Sequence, residues 1–268
     1  VRYIEAPPPA SRAEKEPVAH IRGERGASTL RSPPGAASSA ARPIGGAAGP
    51  ASAARGVDPA SWTPAQKLVH LQQKVIGDCR RCPLCETRRS IVFGEGSARA
   101  RVMVIGEAPG AEEDKTGRPF VGAAGERLNS WMEAVGLERR GVFIANVLKC
   151  RPPNNRDPFG PEVASCSKFL RAQIRAVRPD LLIALGRFAA SALLDKPVRL
   201  HQATGRLHSY RDPRDNAARP VCVLYHPAYV LRQERASDTG DVGKSENEKV
   251  IEELRRAVTE IFGPSGPT

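Results

Sequence analysis

The chain has 268 residues, with 41 Lys and Arg against 29 Asp and Glu, for a formal net charge of +12. No stretch approaches the roughly 18 uncharged apolar residues of a membrane span, and no charged segment followed by an apolar one opens the chain, which argues against a transmembrane protein and against secretion by that route. The basic balance points to a polyanion, most economically nucleic acid, and six cysteines, most of them in two clusters, suggest a metal in an intracellular protein rather than a disulfide scaffold.

Residues 1–60 are Ala, Pro, Gly, Ser and Arg without a period, with eight basic and five acidic residues among them. They hold too little apolar surface to offset the entropy of ordering, and are expected to form a disordered tail, a tether or a loose DNA-holding arm. A folded domain is expected over residues 61–262. The run from Ser61 to Cys79 has a cap-like Ser/Thr, a Pro in its first turn and apolar Leu68, Leu71, Val75 and Ile76. That pattern predicts an amphipathic helix entering a cysteine loop. Arg101–Gly110 is a short apolar run ending in a Gly-rich loop, as in a parallel strand with a functional loop at its carboxyl end. A helix follows from Ala123 to near Gly136, then a strand from Val142, a helix from Pro161 and a strand over Pro179–Gly186. A short helix from Arg187, a fourth strand from Pro220 leading into a polar loop, and a charged amphipathic helix over Lys244–Phe262 complete the order. Strands alternating with helices imply an α/β fold around a small, mostly parallel sheet of four strands.

Ligands of such sheets sit beyond the carboxyl ends of the strands. Three loops there are rich in special residues. The first is Gly106-Glu107-Ala108-Pro109-Gly110, running on to Gly117-Arg118-Pro119-Phe120-Val121-Gly122. The second begins at Asn146 and continues through Lys149-Cys150-Arg151 to Asn155-Arg156. The third is His226-Pro227-Ala228-Tyr229. Cys79 and Cys82 form a C-x2-C pair, and Cys150 and Cys166 lie downstream with fifteen residues between them. Four thiolates from two separated places suit a tetrahedral zinc site or an iron–sulfur cluster. Cys85 extends the first pair with a ferredoxin-like rhythm, while Cys222 sits in an apolar run and reads as core.

Taken together, the C-x2-C pair, GEAPGAEED, GRPFVG, ANVLKCRPPNNRDP, the downstream Cys, ALGRFAA and HPAYVLR resemble the family-four uracil-DNA glycosylases, the iron–sulfur branch of that superfamily. The resemblance runs in order from Ser61 to about Leu254 and leaves out the tail. It implies a three-layer sandwich with the four-stranded sheet between helices. It implies hydrolysis of the bond between uracil and deoxyribose in DNA, with the base taken out of the stack. It also implies a [4Fe-4S] cluster on Cys79, Cys82, Cys150 and Cys166, of structural character.

Residue by residue, the resemblance makes Phe120 the ring that stacks on uracil and Asn146 the amide that reads its edge. An amide donates to a uracil carbonyl and accepts from the ring N–H, whereas cytosine presents the reverse pattern. His226 matches the donor to the carbonyl beside the breaking bond. Ala108 and Pro109 fall in the uracil-binding loop. In the best-known branch that loop reads G-Q-D-P-Y; here Ala108 and Gly110 stand where its Asp and Tyr would be, so neither role carries over. Glu107 is the expected group for positioning water or steadying the sugar cation, with Asn155 and Asp114 as alternatives, and Glu113 is a candidate wall against the thymine methyl. Another branch bonds covalently to the sugar through a basic insertion with a histidine; here Asp114–Arg118 follow directly without one, which implies ordinary turnover. The expected partner is uracil-containing DNA, bound by a monomer in the cytoplasm at the nucleoid. Two alternatives remain at this stage, a non-catalytic nucleic-acid-binding module of the same fold and a zinc-bearing nucleotide hydrolase.

Overall fold

The four apolar runs become the four central strands of one sheet in the computed structural model, which describes residues 3–4, 59–236 and 241–267. The disordered tail expected over residues 1–60 lies outside the described residues, apart from Tyr3–Ile4 and Pro59–Ala60. In chain order the strands are β1 (Tyr3–Ile4), β2 (Glu95–Ser97), β3 (Val102–Gly106), β4 (Phe143–Asn146), β5 (Leu181–Leu185), β6 (Leu207–Arg211) and β7 (Ala218–Leu224). They stand side by side as β1-β2-β4-β3-β5-β7-β6. Strands β4, β3, β5 and β7 run parallel, β2 and β6 flank them antiparallel, and β1 pairs antiparallel with the outer side of β2. The expected parallel sheet of four is therefore the centre of a mixed one. The strands flanking that centre escaped the sequence because neither carries an apolar run: β2 reads Glu-Gly-Ser and β6 is the half-exposed Leu-His-Ser-Tyr-Arg.

The helices are α1 (Pro64–His70), α2 (Leu84–Thr87), α3 (Ala111–Thr116), α4 (Ala123–Ala134), α5 (Gly160–Val177), α6 (Arg187–Leu194), α7 (Leu200–Ala203), α8 (Pro227–Ala236) and α9 (Asp241–Phe262). Helix α1 opens with a reciprocal cap. The Gln66 N–H donates to the Thr63 hydroxyl at 3.3 Å, and the Thr63 N–H donates to the Gln66 side-chain oxygen at 2.9 Å. It continues as π-type turns over Leu71–Ile76 and stops at Gly77. The polar loop expected after the fourth strand is instead the start of α8, which begins one residue past His226.

Strand alternation divides the core into two layers of side chains. Met103, Ile105, Phe143, Ala145, Leu182 and Ala184 face one side and pack with Leu68 and Leu71, with Phe169 and Leu170 of α5, and with Ala189 and Leu193 of α6. Val102, Val104, Ile144, Leu181, Ile183 and Leu185 face the other and meet Leu128 and Trp131 of α4, Val230 of α8 and Leu254 of α9. Both faces of the sheet are covered, as a parallel centre requires, so the strands read as continuous apolar runs. The result is the expected three-layer α/β sandwich.

Candidate active site and cysteine cluster

Strands β3, β4 and β7 deliver their three loops to one end of the sheet. Pairing persists past the strand ends: the Val147 N–H donates to the Gly106 carbonyl at 2.9 Å and the Leu148 N–H to that of Glu107 at 3.0 Å. The first loop is thereby locked against the second. At its root, Gly106 lies so near both partners that a Cβ there would stand 2.4 Å from Asn146 Oδ1 and 2.5 Å from Phe120 Cζ. Glycine is what lets the ring and the amide converge.

Asn146 is 2% exposed, and its buried Oδ1 has no hydrogen-bond partner. An unpaired buried acceptor costs about 1–3 kcal/mol. It is fixed from behind. Its backbone carbonyl accepts from Lys149 Nζ at 2.7 Å, and the same ammonium donates to Gln173 Oε1 at 2.7 Å. The Gln173 amide in turn donates to the Phe93 carbonyl at 2.8 Å. Lys149 is wholly buried, and that burial pulls its pKa down to about 8.

Phe120 is buried with φ +50°, a conformation that costs a non-glycine residue on the order of 1–3 kcal/mol. Its neighbours hold it there. Glu113 Oε1 accepts from the Val121 N–H at 2.9 Å and the Gly122 N–H at 3.1 Å, while Oε2 accepts from the Gly110 N–H at 3.0 Å. Arg139 donates to the Pro119 carbonyl and to the buried carboxylate of Glu95, both at 2.6 Å, and Arg118 donates to Glu95 at 2.9 Å. Glu113, the candidate wall against thymine, also clamps Gly110 to the segment that follows Phe120.

His226 completes the pocket. Its ring stands 5.8 Å from that of Phe120, centroid to centroid. Gly186, at the end of β5 with φ +87°, leaves room for it: a Cβ there would lie 3.2 Å from the His226 Cβ. The Ala228 N–H donates to Nδ1 at 3.2 Å, which assigns the ring proton to Nε2. Burial, reinforced by the charge of Arg232, pushes the histidine pKa down to about 4, against the pull of Glu113. The ring is a neutral donor across the physiological range.

Glu107 follows Gly106 and is half-buried. Burial, then the negative charge of Asp157, push its pKa up to about 7, with Arg187 opposing. Asp157 and Arg187 are paired at 3.1 Å. Ala108 packs against the first core layer and Pro109 is buried beside it. The alternatives to Glu107 are otherwise engaged. Asp114 is buried and accepts from the Arg89 and Ser90 N–H groups at 2.9 and 3.2 Å, and Asn155 accepts from Arg151 at 2.7 Å.

The cysteines separate cleanly. Cys150 and Cys166 belong to the first core layer, and Cys79 and Cys82 pack against that same layer. Three of the four sulfurs accept hydrogen bonds: Cys79 from Arg81 at 3.3 Å, Cys166 from the Lys149 backbone N–H at 3.3 Å, and Cys150 from Arg88 at 3.7 Å. Asp78 steadies Arg88 at 2.7 Å. Burial pushes the Cys150 thiol up to about 12, and Cys166, Cys82 and Cys79 each push it the same way, while Arg88 opposes. Cys222 lies in the other core layer, across the sheet, and Cys85 in neither. Among the described residues, no group of three or more His, Cys, Asp or Glu side chains is placed to hold a metal ion. A four-iron cube takes one thiolate at each iron, so its ligands stand farther apart than those of a single ion. An apolar wall with N–H donors on sulfur is the environment such a cluster needs.

The pocket residues expected from the sequence therefore come together, as do the four cysteines. The sequence does not show the roles of Lys149, Gln173, Glu95, Asp157 and Arg187. A lysine within the apolar run ahead of Cys150 was the one available signal; the others act through contacts distant in sequence.

The family model described as the uracil DNA glycosylase superfamily matches residues 93–255. The chain belongs to that superfamily. The match begins before β3 and ends within α9, so it takes in all three loops of the pocket. The chain is 44% identical to a Type-4 uracil-DNA glycosylase of Pyrobaculum aerophilum over 162 residues, 60% of this chain and 83% of that one. It is 41% identical to a Type-4 uracil-DNA glycosylase of Archaeoglobus fulgidus over 178 residues, 63% of this chain and 88% of that one. A third Type-4 uracil-DNA glycosylase, of Sulfurisphaera tokodaii, is 48% identical over 167 residues, 61% of this chain and 76% of that one.

Proposed function

We propose that this chain is a uracil-DNA glycosylase acting in base-excision repair, hydrolysing the N-glycosidic bond of uracil in DNA. The observation that carries this is the unpaired Oδ1 of buried Asn146, facing the Phe120 ring across Gly106. Uracil meets both: its ring N–H donates to Oδ1, its carbonyl accepts from the amide nitrogen, and its face lies on the ring. Cytosine lacks that N–H and would leave Oδ1 unpaired.

The bond breaks as uracil leaves with its electron pair, leaving an oxocarbenium-like sugar. The charge developing on the uracil carbonyl is met by the Nε2–H of His226, already neutral and already oriented. A fixed donor aimed at developing charge lowers the barrier rather than the ground state. Glu107, as the carboxylate, orients the water or steadies the sugar cation. Ala108 and Pro109 line the loop beneath the base.

Cys79, Cys82, Cys150 and Cys166 would hold a [4Fe-4S] cluster. When bound, the cluster supplies structural cross-linking and no step of the reaction. The residues around it tie the cysteine loop after α1 to β4 and α5. The domain proposed for this work spans residues 61–262, with the remainder of the N-terminus as a tether. It acts as a monomer on DNA in the cytoplasm, and no described helix is long and apolar enough to cross a membrane. Incubation with an end-labelled oligonucleotide bearing one uracil, then alkali, tests the activity: strand breakage at the uracil is expected, and an intact strand overturns the proposal.

A further inference from the structure

Phe159 differs from the rest of the surface. It is 58% exposed, the sole aromatic among the large apolar side chains left exposed by the described residues. Its setting is firmly built. The Arg156 guanidinium lies over the ring, 3.7 Å from its centroid. That guanidinium is held by two bonds to Glu162, at 2.6 and 3.0 Å, and donates to the Asp157 carbonyl at 2.9 Å. Glu162 is itself buried and accepts from the Phe159 N–H at 2.8 Å. A fixed planar cation thus covers one face of the ring, and the remainder meets solvent. The segment also reaches the pocket. Asp157, two residues earlier, pairs with Arg187 and bears on Glu107, and Gly186, beside Arg187, packs on His226.

We propose that Phe159 is a stacking platform for a base of the DNA strand next to the extruded uracil. The proposal rests on the function given above and extends its substrate site beyond the uracil pocket. A base that has lost its stacking neighbour needs a flat apolar surface, and an aromatic side chain serves any base, because every base has a π face. Arg156, stacked beneath, stiffens the ring and makes the surface deeper than a lone side chain. Arg187 and Arg232, exposed beside the pocket, are placed for the phosphates of the same strand.

The test uses the full chain and single-stranded oligonucleotides whose 2′-fluorinated deoxyuridine resists cleavage, with 2-aminopurine on either side of it. Wild-type protein should bind and change the 2-aminopurine fluorescence on one side. Phe159→Ala should raise Kd by about 5–150-fold, the range for losing one base–aromatic stack, and abolish that change. Phe159→Trp should retain both readouts, and Phe159→Leu should behave like Phe159→Ala. Wild-type binding by Phe159→Ala, or full rescue by Leu, overturns the platform. Neither readout needs excision, so wild-type protein that binds and stacks on these strands but releases no uracil from the same sequence carrying unmodified deoxyuridine would overturn the activity instead.

Discussion

Lys149 joins the two functional regions of the molecule. Its backbone N–H donates to Cys166 Sγ at 3.3 Å, and its ammonium donates to the Asn146 carbonyl at 2.7 Å. One residue therefore touches both Cys166 and Asn146. Its burial is tolerable because each of these contacts is hydrogen-bonded. Replacement by Met keeps the stem but leaves the Asn146 carbonyl and the Gln173 oxygen without their donor. Lys149→Met should lower stability by about 1–3 kcal/mol in denaturant unfolding and weaken excision through a displaced Asn146. An unchanged unfolding midpoint would show that water replaces the ammonium at no cost.

Gly106→Ala tests the pocket without removing any functional group. The new methyl would meet both Asn146 Oδ1 and the Phe120 ring, and the strand behind it cannot recede because β3 is paired on both sides. Displacements of about 1 Å at a reacting site cost on the order of 10²-fold. A loss of that size in single-turnover excision, with the fold intact by circular dichroism, is expected. Normal excision would mean that uracil does not sit over Gly106.

Glu107 should impose the pH dependence. Its pKa near 7 means that the carboxylate form grows as pH rises through neutrality, so excision should rise with pH over about 6–8. Asp157 raises that pKa and Arg187 lowers it, so Asp157→Asn should move the limb to lower pH and Arg187→Met to higher pH. Opposite shifts in the two variants are the diagnostic result; a limb unmoved by both would assign it to another group. Stability has its own sign. A carboxyl whose folded pKa is raised binds its proton more tightly when folded, so its contribution is full below the unfolded pKa of about 4.3 and lost as pH rises through 7. Glu107→Gln should accordingly unfold at a higher temperature than wild type at pH 8, while excising uracil more slowly.

Much of this site was legible because its parts sit at the ends of apolar runs. Gly106, Asn146 and Leu224 each close a β-strand, so a reader who finds the strands also finds the loops. The edge strands were not legible. Glu95 is buried in β2 only because Arg118 and Arg139 arrive from distant segments to neutralise it, and no local pattern records that. Glu113 shows the same limit. Both its oxygens are taken up by N–H groups three to nine positions away along the chain, a clamp that no local pattern records.

The cysteines offer a test with internal controls. Serine at Cys79, Cys82, Cys150 or Cys166 should reduce iron and sulfide content and bleach the brown colour expected of anaerobically purified protein. Cys222→Ser should retain full iron, because Cys222 lies across the sheet in the opposite core layer. Cys85→Ser should retain it as well. Loss of iron in Cys85→Ser, with retention in any one of the four, would reassign that ligand.

His226 carries the prediction that separates two kinds of catalysis. An imidazolium would donate a full proton to the departing base, and its activity would fall as pH rose through its pKa. A neutral imidazole donates only a hydrogen bond and keeps its role at every pH above its pKa. Burial holds His226 at about 4, and the Ala228 N–H occupies Nδ1, so the second case applies and Nε2–H is the donor. His226→Ala should therefore slow single-turnover excision by about 10²–10³-fold, the usual cost of one such donor, while DNA affinity and iron content stay near wild type. The loss should be nearly constant between pH 6 and 8, because the group does not titrate there. A penalty that shrinks steeply toward high pH would mean that the histidine acts as an acid. An undiminished rate would assign the uracil carbonyl to another donor, for which the backbone N–H groups of the Glu107–Gly110 loop are the nearest alternative.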